Sequence, residues 1–205
     1  QKGFTLGHQL MIGLPDSELQ TELDTVAQVI EIGPDLARIY PTIVLKGTIL
    51  ARLLQEGKYR PLTLREAVQT ATLLLTQLEK AGIKVIRMGL QATPELQQSG
   101  EILAGPFHPS FGELVQSEIF QWQAMHVITS FMERKVTNRL KLYVHKRDLS
   151  KMIGQDRRNL RALKDRFKLD NLEVIGIEGA EKAWVGVGQW QRKVPQLVLS
   201  RQEFL

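Results

Sequence analysis

Apolar positions along the chain fall into two rhythms, short continuous runs and helical stripes, and their order predicts the architecture. Residues 6–14 (LGHQLMIGL) form an apolar run that ends at Pro15-Asp16, the mark of a buried strand entering a turn. Asp16 or Ser17 is placed to cap the next helix. In that helix Leu19, Leu23, Val26, Ala27 and Ile30 recur at helical spacing until Gly33-Pro34 stops it. A strand over Leu36 to Val44 comes next, then a turn at Lys46-Gly47 and a short amphipathic helix from Thr48 to about Gln55. Thr63 caps a longer helix with a buried stripe of Ala67, Val68, Ala71, Leu74, Leu75 and Leu78, ended by Ala81-Gly82; Ile83 to Leu90 is a third strand. Strands that are apolar on both faces and joined by helices predict parallel βαβ units. Three such strands leave both edges unpaired, so the segment reads as the last part of a larger barrel or sheet.

Residues 92–112 hold several prolines and glycines and no sustained period, which predicts a long loop of the kind that serves as a lid. His108 lies in it, between Phe107 and Pro109. A helix over 113–136 carries Leu114, Val115, Ile119, Phe120, Val127, Ile128, Phe131 and Met132 on its apolar face, with Trp122, Met125 and His126 as packing residues. Beyond it the pattern reads strand (139–145), helix (Arg147 to Ile153), turn (Gly154 to Arg157), helix (Arg158 to Phe167) and strand (Leu172 to Ile175). Two further short strands fall at 183–187 and 194–199. The expected division is an α/β part over 1–112, a connecting helix over 113–136 and a small basic α+β part over 137–205.

Charge sharpens that division. The whole chain is only +5, but residues 134–168 hold thirteen Lys or Arg against three acids, and the segments on either side are slightly acidic. A basic module behind a near-neutral front predicts a polyanionic partner for the second part. There is no cysteine, so disulfides, thiolate zinc sites and cysteine-held iron–sulfur clusters are excluded within this chain, and no metal site is expected. No apolar run reaches the roughly 18 residues of a membrane span and no signal-peptide pattern opens the chain. No membrane partner and a cytoplasmic location are the expectations.

The chemistry is expected around Arg38 to Arg60 (RIYPTIVLKGTILARLLQEGKYR). Proline removes a ladder donor, so Pro41 inside a strand run ends the pairing near Tyr40 and sends the chain outward. Arg38, Tyr40 and Lys46 are then expected to face one cavity. This stretch resembles the radical S-adenosylmethionine enzymes of the Elongator catalytic-subunit type, which carry K/R-I-Y-P-T-x-V-x-K/R-G-T-x-L-x-x-L followed by G-R/K-Y. HQLMIGLPD at 8–16 is similar to that family's G-L-P strand end, and VIRMGLQ at 85–91 looks like its cavity-facing strand. The resemblance covers roughly 5–112. It implies the C-terminal portion of a partial (β/α) radical-SAM barrel with parallel strands. Cofactor and substrate would sit at the strands' C-terminal ends, where parallel α/β barrels place chemistry. It implies S-adenosylmethionine near Gln9, Met11, Gly13, Arg38 and Tyr40, and substrate near Lys46, Arg87, Gln91 and His108. It also implies an iron–sulfur cluster in the parent protein, held by a CxxxCxxC motif in an N-terminal barrel half that this chain lacks. Catalytic residues are not assignable.

Residues 142–175 (LYVHKRDLSKMIGQDRRNLRALKDRFKLDNLEVI) resemble a KH domain core, in which a loop between two helices clamps nucleotide backbone. The usual GxxG stands here as Gly154-Gln155-Asp156-Arg157, with arginine for the second glycine, so that Arg157 is placed to contact phosphate instead. The resemblance implies RNA contacts from Lys151, Gly154, Gln155, Arg157, Arg158 and Arg161. The combined expectation is a fragment of a radical enzyme acting on tRNA or another RNA. No acetyl-coenzyme A signature follows the barrel part, which leaves the reaction open. Two alternatives stand beside it: a porphyrinogen oxidase-like enzyme with a small-molecule substrate, and a non-catalytic RNA-binding module.

Overall fold

The computed structural model describes residues 3–91 and 100–205, and the chain divides into two compact units, 1–115 and 116–205. In the first unit β1 (Gly7–Ile12), β2 (Leu36–Pro41) and β4 (Lys84–Met88) make a parallel sheet in the order β1-β2-β4. The helices α1 (Leu19–Ile32) and α3 (Leu64–Lys80) pack on it. Leu10, Ile12, Ala37 and Ile39 alternate toward these helices and are buried with Val26, Val29, Val68, Leu74, Leu75 and Leu78. The expected stripe of α3 is buried at every position. The strands, however, are not covered on both faces: Gln9, Met11, Arg38 and Ile86 stay exposed on the side away from the helices. Period-2 alternation separates the two faces, and the apolar Met11 and Ile86 disguised it in the sequence.

The expected strand to Val44 ends at Pro41. The Thr42 amide still donates to the Ile12 carbonyl at 2.9 Å, and then the chain leaves the sheet. It forms β3 (Val44–Leu45), which pairs antiparallel with β5 (Ile102–Ala104). So the 92–112 segment, expected to lack structure, contains a strand; residues 92–99 of it lie outside the described residues. Gly105 makes the approach possible, because a Cβ there would sit 2.9 Å from the Ile43 Cα. Helix α2 (Ile49–Gln55) is capped by Thr48, and α3 by a reciprocal box of Thr63 and Glu66.

Helix α1 departs from expectation at its start. Its N-cap is Glu18, with no side-chain cap, and neither Asp16 nor Ser17 takes that place. Instead the first-turn Glu22 accepts from the Gly13 amide at 2.6 Å and the Ser17 hydroxyl at 3.2 Å. This bond sets the helix phase, so Glu22, Val26 and Val29 face inward while Leu19 and Ala27 are exposed.

The second unit begins within α4 (Phe111–Met132), from residue 116 onward. Its sheet has the order β7-β6-β8-β9, from β6 (Arg139–His145), β7 (Asn171–Ile177), β8 (Val185–Gln189) and β9 (Leu197–Leu199). β6 and β7 run parallel; the other pairs are antiparallel. Between β6 and β7 lie a 3-10 turn (Lys146–Asp148), α5 (Leu149–Ile153), a second 3-10 turn (Gln155–Arg157) and α6 (Arg158–Phe167). Phe120, Val127 and Ile128 of α4 share one core with Leu140, Leu142, Val144, Met152, Leu160, Leu163, Val185 and Val187. A short α7 (Arg201–Phe204), capped by Ser200 and Glu203, was not expected. His126 is exposed rather than packed in the core, its ring meeting Phe204 edge-on at 6.2 Å. No helix among the described residues is long and apolar enough to cross a membrane.

Candidate ligand face and nucleic-acid interface

The open face of the first sheet is built by register. Gln9 of β1 stands beside Arg38 of β2, which stands beside Arg87 of β4; one step along, Met11 stands beside Tyr40. The Arg38–Arg87 pairing depends on an irregularity. Ala37 pairs with Val85, but the next residue, Arg38, pairs with Arg87, so Ile86 is skipped. A bulge of this kind re-aims a side chain, and here it brings a second guanidinium into the row. The Arg87 guanidinium donates to the Gln91 amide oxygen at 3.4 Å. Gln9, Met11, Arg38, Tyr40, Arg87 and Gln91 are thereby grouped on or beside one face.

Gln9 and Met11 also line a cavity of about 460 Å³ with Leu14, Asp16, Ser17 and Glu22. Lys46 does not join them. It lines a separate depression of similar volume with Thr48, Ile49, Arg52 and Leu103, because the chain has left the sheet after Pro41. Lys46 thus lines a different cavity from Gln9 and Met11. His108 is half-buried: its Nδ1 accepts from the Ser110 amide at 3.1 Å and its carbonyl from the Phe111 amide at 3.1 Å, at the start of α4.

Gly13 is held at the end of β1 by two residues that sequence reasoning missed. Its amide donates to buried Glu22, and its carbonyl accepts from the Tyr59 hydroxyl at 2.6 Å. A Cβ at this positive φ would be strained and would lie 2.9 Å from the Leu62 side chain, which favours glycine. Tyr59 is buried, and loss of hydration pushes its phenol up from the usual range. Its signal was present as the tyrosine of the Gly57-Lys58-Tyr59 segment. That of Glu22 was a carboxylate at the head of the 22/26/29 stripe.

In the second unit the predicted loop lies between α5 and α6. Gly154 takes φ 74°, ψ 160°, with Asn159 so near that a Cβ would be 3.0 Å from its side chain. Asp156 (φ 50°) and Arg157 (φ 60°) follow, both left-handed. Buried Asn159, also missed from the sequence, stands behind the loop. Its Nδ2 donates to the Ser117 carbonyl at 2.9 Å, the Ser117 hydroxyl at 3.0 Å and the Lys151 carbonyl at 3.1 Å, so it ties α4, α5 and α6 together.

The basic residues divide into two groups. Arg158 donates to Glu118, which is buried and also accepts from the Trp122 indole. Lys151 pairs with buried Asp148 at 3.0 Å. Burial raises the Asp148 carboxyl, but bonds from the Ala183 amide and Lys151 outweigh it and hold it below the usual range. Arg157 and Arg161 are exposed and face no carboxylate at ion-pair distance among the described residues; Arg161 donates to the Asp156 carbonyl at 2.5 Å and braces the turn. Gln155 is exposed on the same turn. The structure thus brings the six predicted residues together, with Lys151 and Arg158 neutralised and Gln155, Arg157 and Arg161 presented outward.

Residues 34–121 match the Radical_SAM C-terminal domain. Over 70 residues the chain is 30% identical to a tRNA uridine(34) acetyltransferase of Methanocaldococcus jannaschii and 27% identical to that of Methanocaldococcus infernus, 33% of this chain in each case. Over 71 residues, 35% of this chain, it is 30% identical to Protein YhcC of Escherichia coli K12. The matched stretch spans 13% of the length of each archaeal protein and 23% of the bacterial one.

Proposed function

We propose that this chain is the C-terminal part of a radical S-adenosylmethionine enzyme that acts on tRNA or another RNA. The first unit supplies strands whose polar face lines the cofactor and substrate cavity, and the second supplies an RNA-binding loop of KH type. The observation that carries the reading is the registered row Gln9–Arg38–Arg87, with Met11–Tyr40 beside it, on the face that the helices leave open. It is supported by the family match over 34–121. The tRNA partner is carried over from the name of the archaeal relatives.

S-adenosylmethionine fits this donor set. The Gln9 amide, the Arg38 guanidinium and the Tyr40 phenol would hold its polar groups, with the Met11 thioether as an apolar neighbour. When bound, it supplies an activated sulfonium carbon. An iron–sulfur cluster does not fit this chain, which has no cysteine and, among the described residues, no cluster of His, Asp and Glu able to hold a metal.

A methionine-methyl NMR spectrum titrated with S-adenosylhomocysteine tests the cavity. The Met11 resonance is expected to move while those of Met125, Met132 and Met152 stay fixed; no movement of Met11 at millimolar ligand refutes the assignment. The RNA half is tested by tRNA binding at two salt concentrations. Two phosphate contacts, from Arg157 and Arg161, predict a fall of roughly ten-fold in affinity between about 50 and 200 mM salt. Arg157→Glu and Arg161→Glu should each weaken binding and flatten that slope. Binding indifferent to both changes refutes the loop as an RNA clamp.

A further inference from the structure

Trp190 takes part in none of the sites described above. It follows β8, and the register that pairs Leu140 with Gln189 makes Trp190 the cross-strand neighbour of Arg139. Two cations of β6 stand over its ring: the Arg139 guanidinium carbon is 4.9 Å from the ring centroid and the Lys141 ammonium 5.4 Å. Arg139, Arg192 and Lys193 are exposed, and no carboxylate lies at ion-pair distance from them among the described residues. Among the described residues the one ion pair to this group is Lys141 with Glu173, at 3.9 Å and with Glu173 itself half-exposed. The segment after Trp190 is fixed, because the Tyr143 hydroxyl donates to the Arg192 carbonyl at 2.8 Å and the Gln196 amide to the Val187 carbonyl. Trp190 itself remains partly exposed.

Packing alone does not ask for two cations on one ring with two more beside it and one weak counter-charge. An anchored, half-open indole flanked by positive side chains is what a single-stranded nucleic acid needs: one base stacks on the ring while the neighbouring phosphates meet the cations. We propose that Trp190, with Arg139, Lys141, Arg192 and Lys193, forms a second RNA-contacting surface on the β6–β8 sheet. It reads single strands by stacking, and is separate from the Gly154–Arg157 loop. It shares with the preceding reading only the class of partner.

The test is titration of the full chain with an oligouridylate of about twelve nucleotides, followed by tryptophan fluorescence and by anisotropy of labelled RNA. Stacking should quench the wild-type protein, and Trp190→Ala should weaken binding about ten-fold, the scale of one lost stacked base. Trp190→Phe keeps a stacking face and should stay within about three-fold of the wild type. It also serves as the folded control if the alanine variant loses its circular dichroism. Arg157→Glu should leave the quench at saturation intact. RNA that binds wild type and Trp190→Ala alike overturns this surface and leaves the loop reading standing. Loss of the saturating quench in Arg157→Glu overturns the claim of a separate surface. Failure of the wild-type protein to bind any RNA overturns both.

Discussion

Arginine at position 157 is a costly choice that glycine would avoid, and the cost is open to measurement. Its backbone is left-handed at φ 60°, ψ 27°, next to a left-handed Asp156. A side chain in that region costs roughly 1–2 kcal/mol. Replacement by glycine removes this strain but adds about 0.5–1 kcal/mol of unfolded-chain entropy. Arg157 is exposed and has no ion pair or side-chain hydrogen bond among the described residues, so no packing is lost with it. Arg157→Gly is therefore expected to stabilise the second unit by about 0.5–1 kcal/mol while weakening tRNA binding. All three tryptophans, at 122, 184 and 190, fall in this unit, so fluorescence-detected urea unfolding reads it without the first. The midpoint should rise at unchanged slope. A lower midpoint would show that Arg157 makes a stabilising interaction after all. A higher midpoint with unchanged tRNA affinity would show that the strain serves no RNA contact.

Other perturbations probe the supports of the two sites. Asn159→Ala removes three hydrogen bonds behind the loop, while the Ser117 hydroxyl still donates to the Lys151 carbonyl at 2.8 Å; it should cost the second unit about 1–2 kcal/mol, read by the same fluorescence. Tyr59→Phe leaves the buried Gly13 carbonyl without its donor; it should cost about 1–2 kcal/mol and shift the Met11 methyl resonance, and an unmoved Met11 would detach Tyr59 from the strand end. The Glu66 carboxyl is lowered to about 2, first by its hydrogen bond from Arg60 and then by those from Thr63. A lowered carboxyl stabilises the fold above its unfolded value, near 4.5, and that contribution is lost as pH falls toward about 2. Amide exchange at the start of α3 should therefore quicken over that window, and Arg60→Ala, which removes the largest cause, should weaken the dependence more than Thr63→Ala, which keeps the Thr63 amide bond.

Much of this was legible because local chemistry and tertiary packing agree. The α3 stripe and its Thr63 cap follow from side-chain period and capping alone. What escaped the sequence depends on distant partners. Glu22 is an ordinary surface acid until the Gly13 amide is brought to it, and Asn159 is an ordinary helix residue until Ser117 arrives. The Arg38–Arg87 row was reached by naming both residues, but their pairing needs Ile86 to bulge out, and no pattern in a single strand announces a bulge. β5 escaped because a three-residue strand flanked by glycines has no period to detect.

The Arg38–Tyr59 stretch is best understood as one mechanical device. Arg38 and Tyr40 take the open face of the sheet, and Pro41 then ends β2 so that the chain can leave beyond the Ile12 carbonyl. The excursion through β3 and α2 is closed when Tyr59 returns to donate to Gly13, one residue past Ile12. Two strand ends are thus locked by residues 18 positions apart, Pro41 releasing the chain and Tyr59 fastening it. Arg38 and Tyr40 are residues the resemblance would recognise as chemical, yet their placement rests also on Pro41, Tyr59 and Glu22, which it does not name, and on Gly13, which it does. A ligand-binding face on a three-stranded sheet needs such fastening, because the sheet's own hydrogen bonds leave β1 and β4 at its edges.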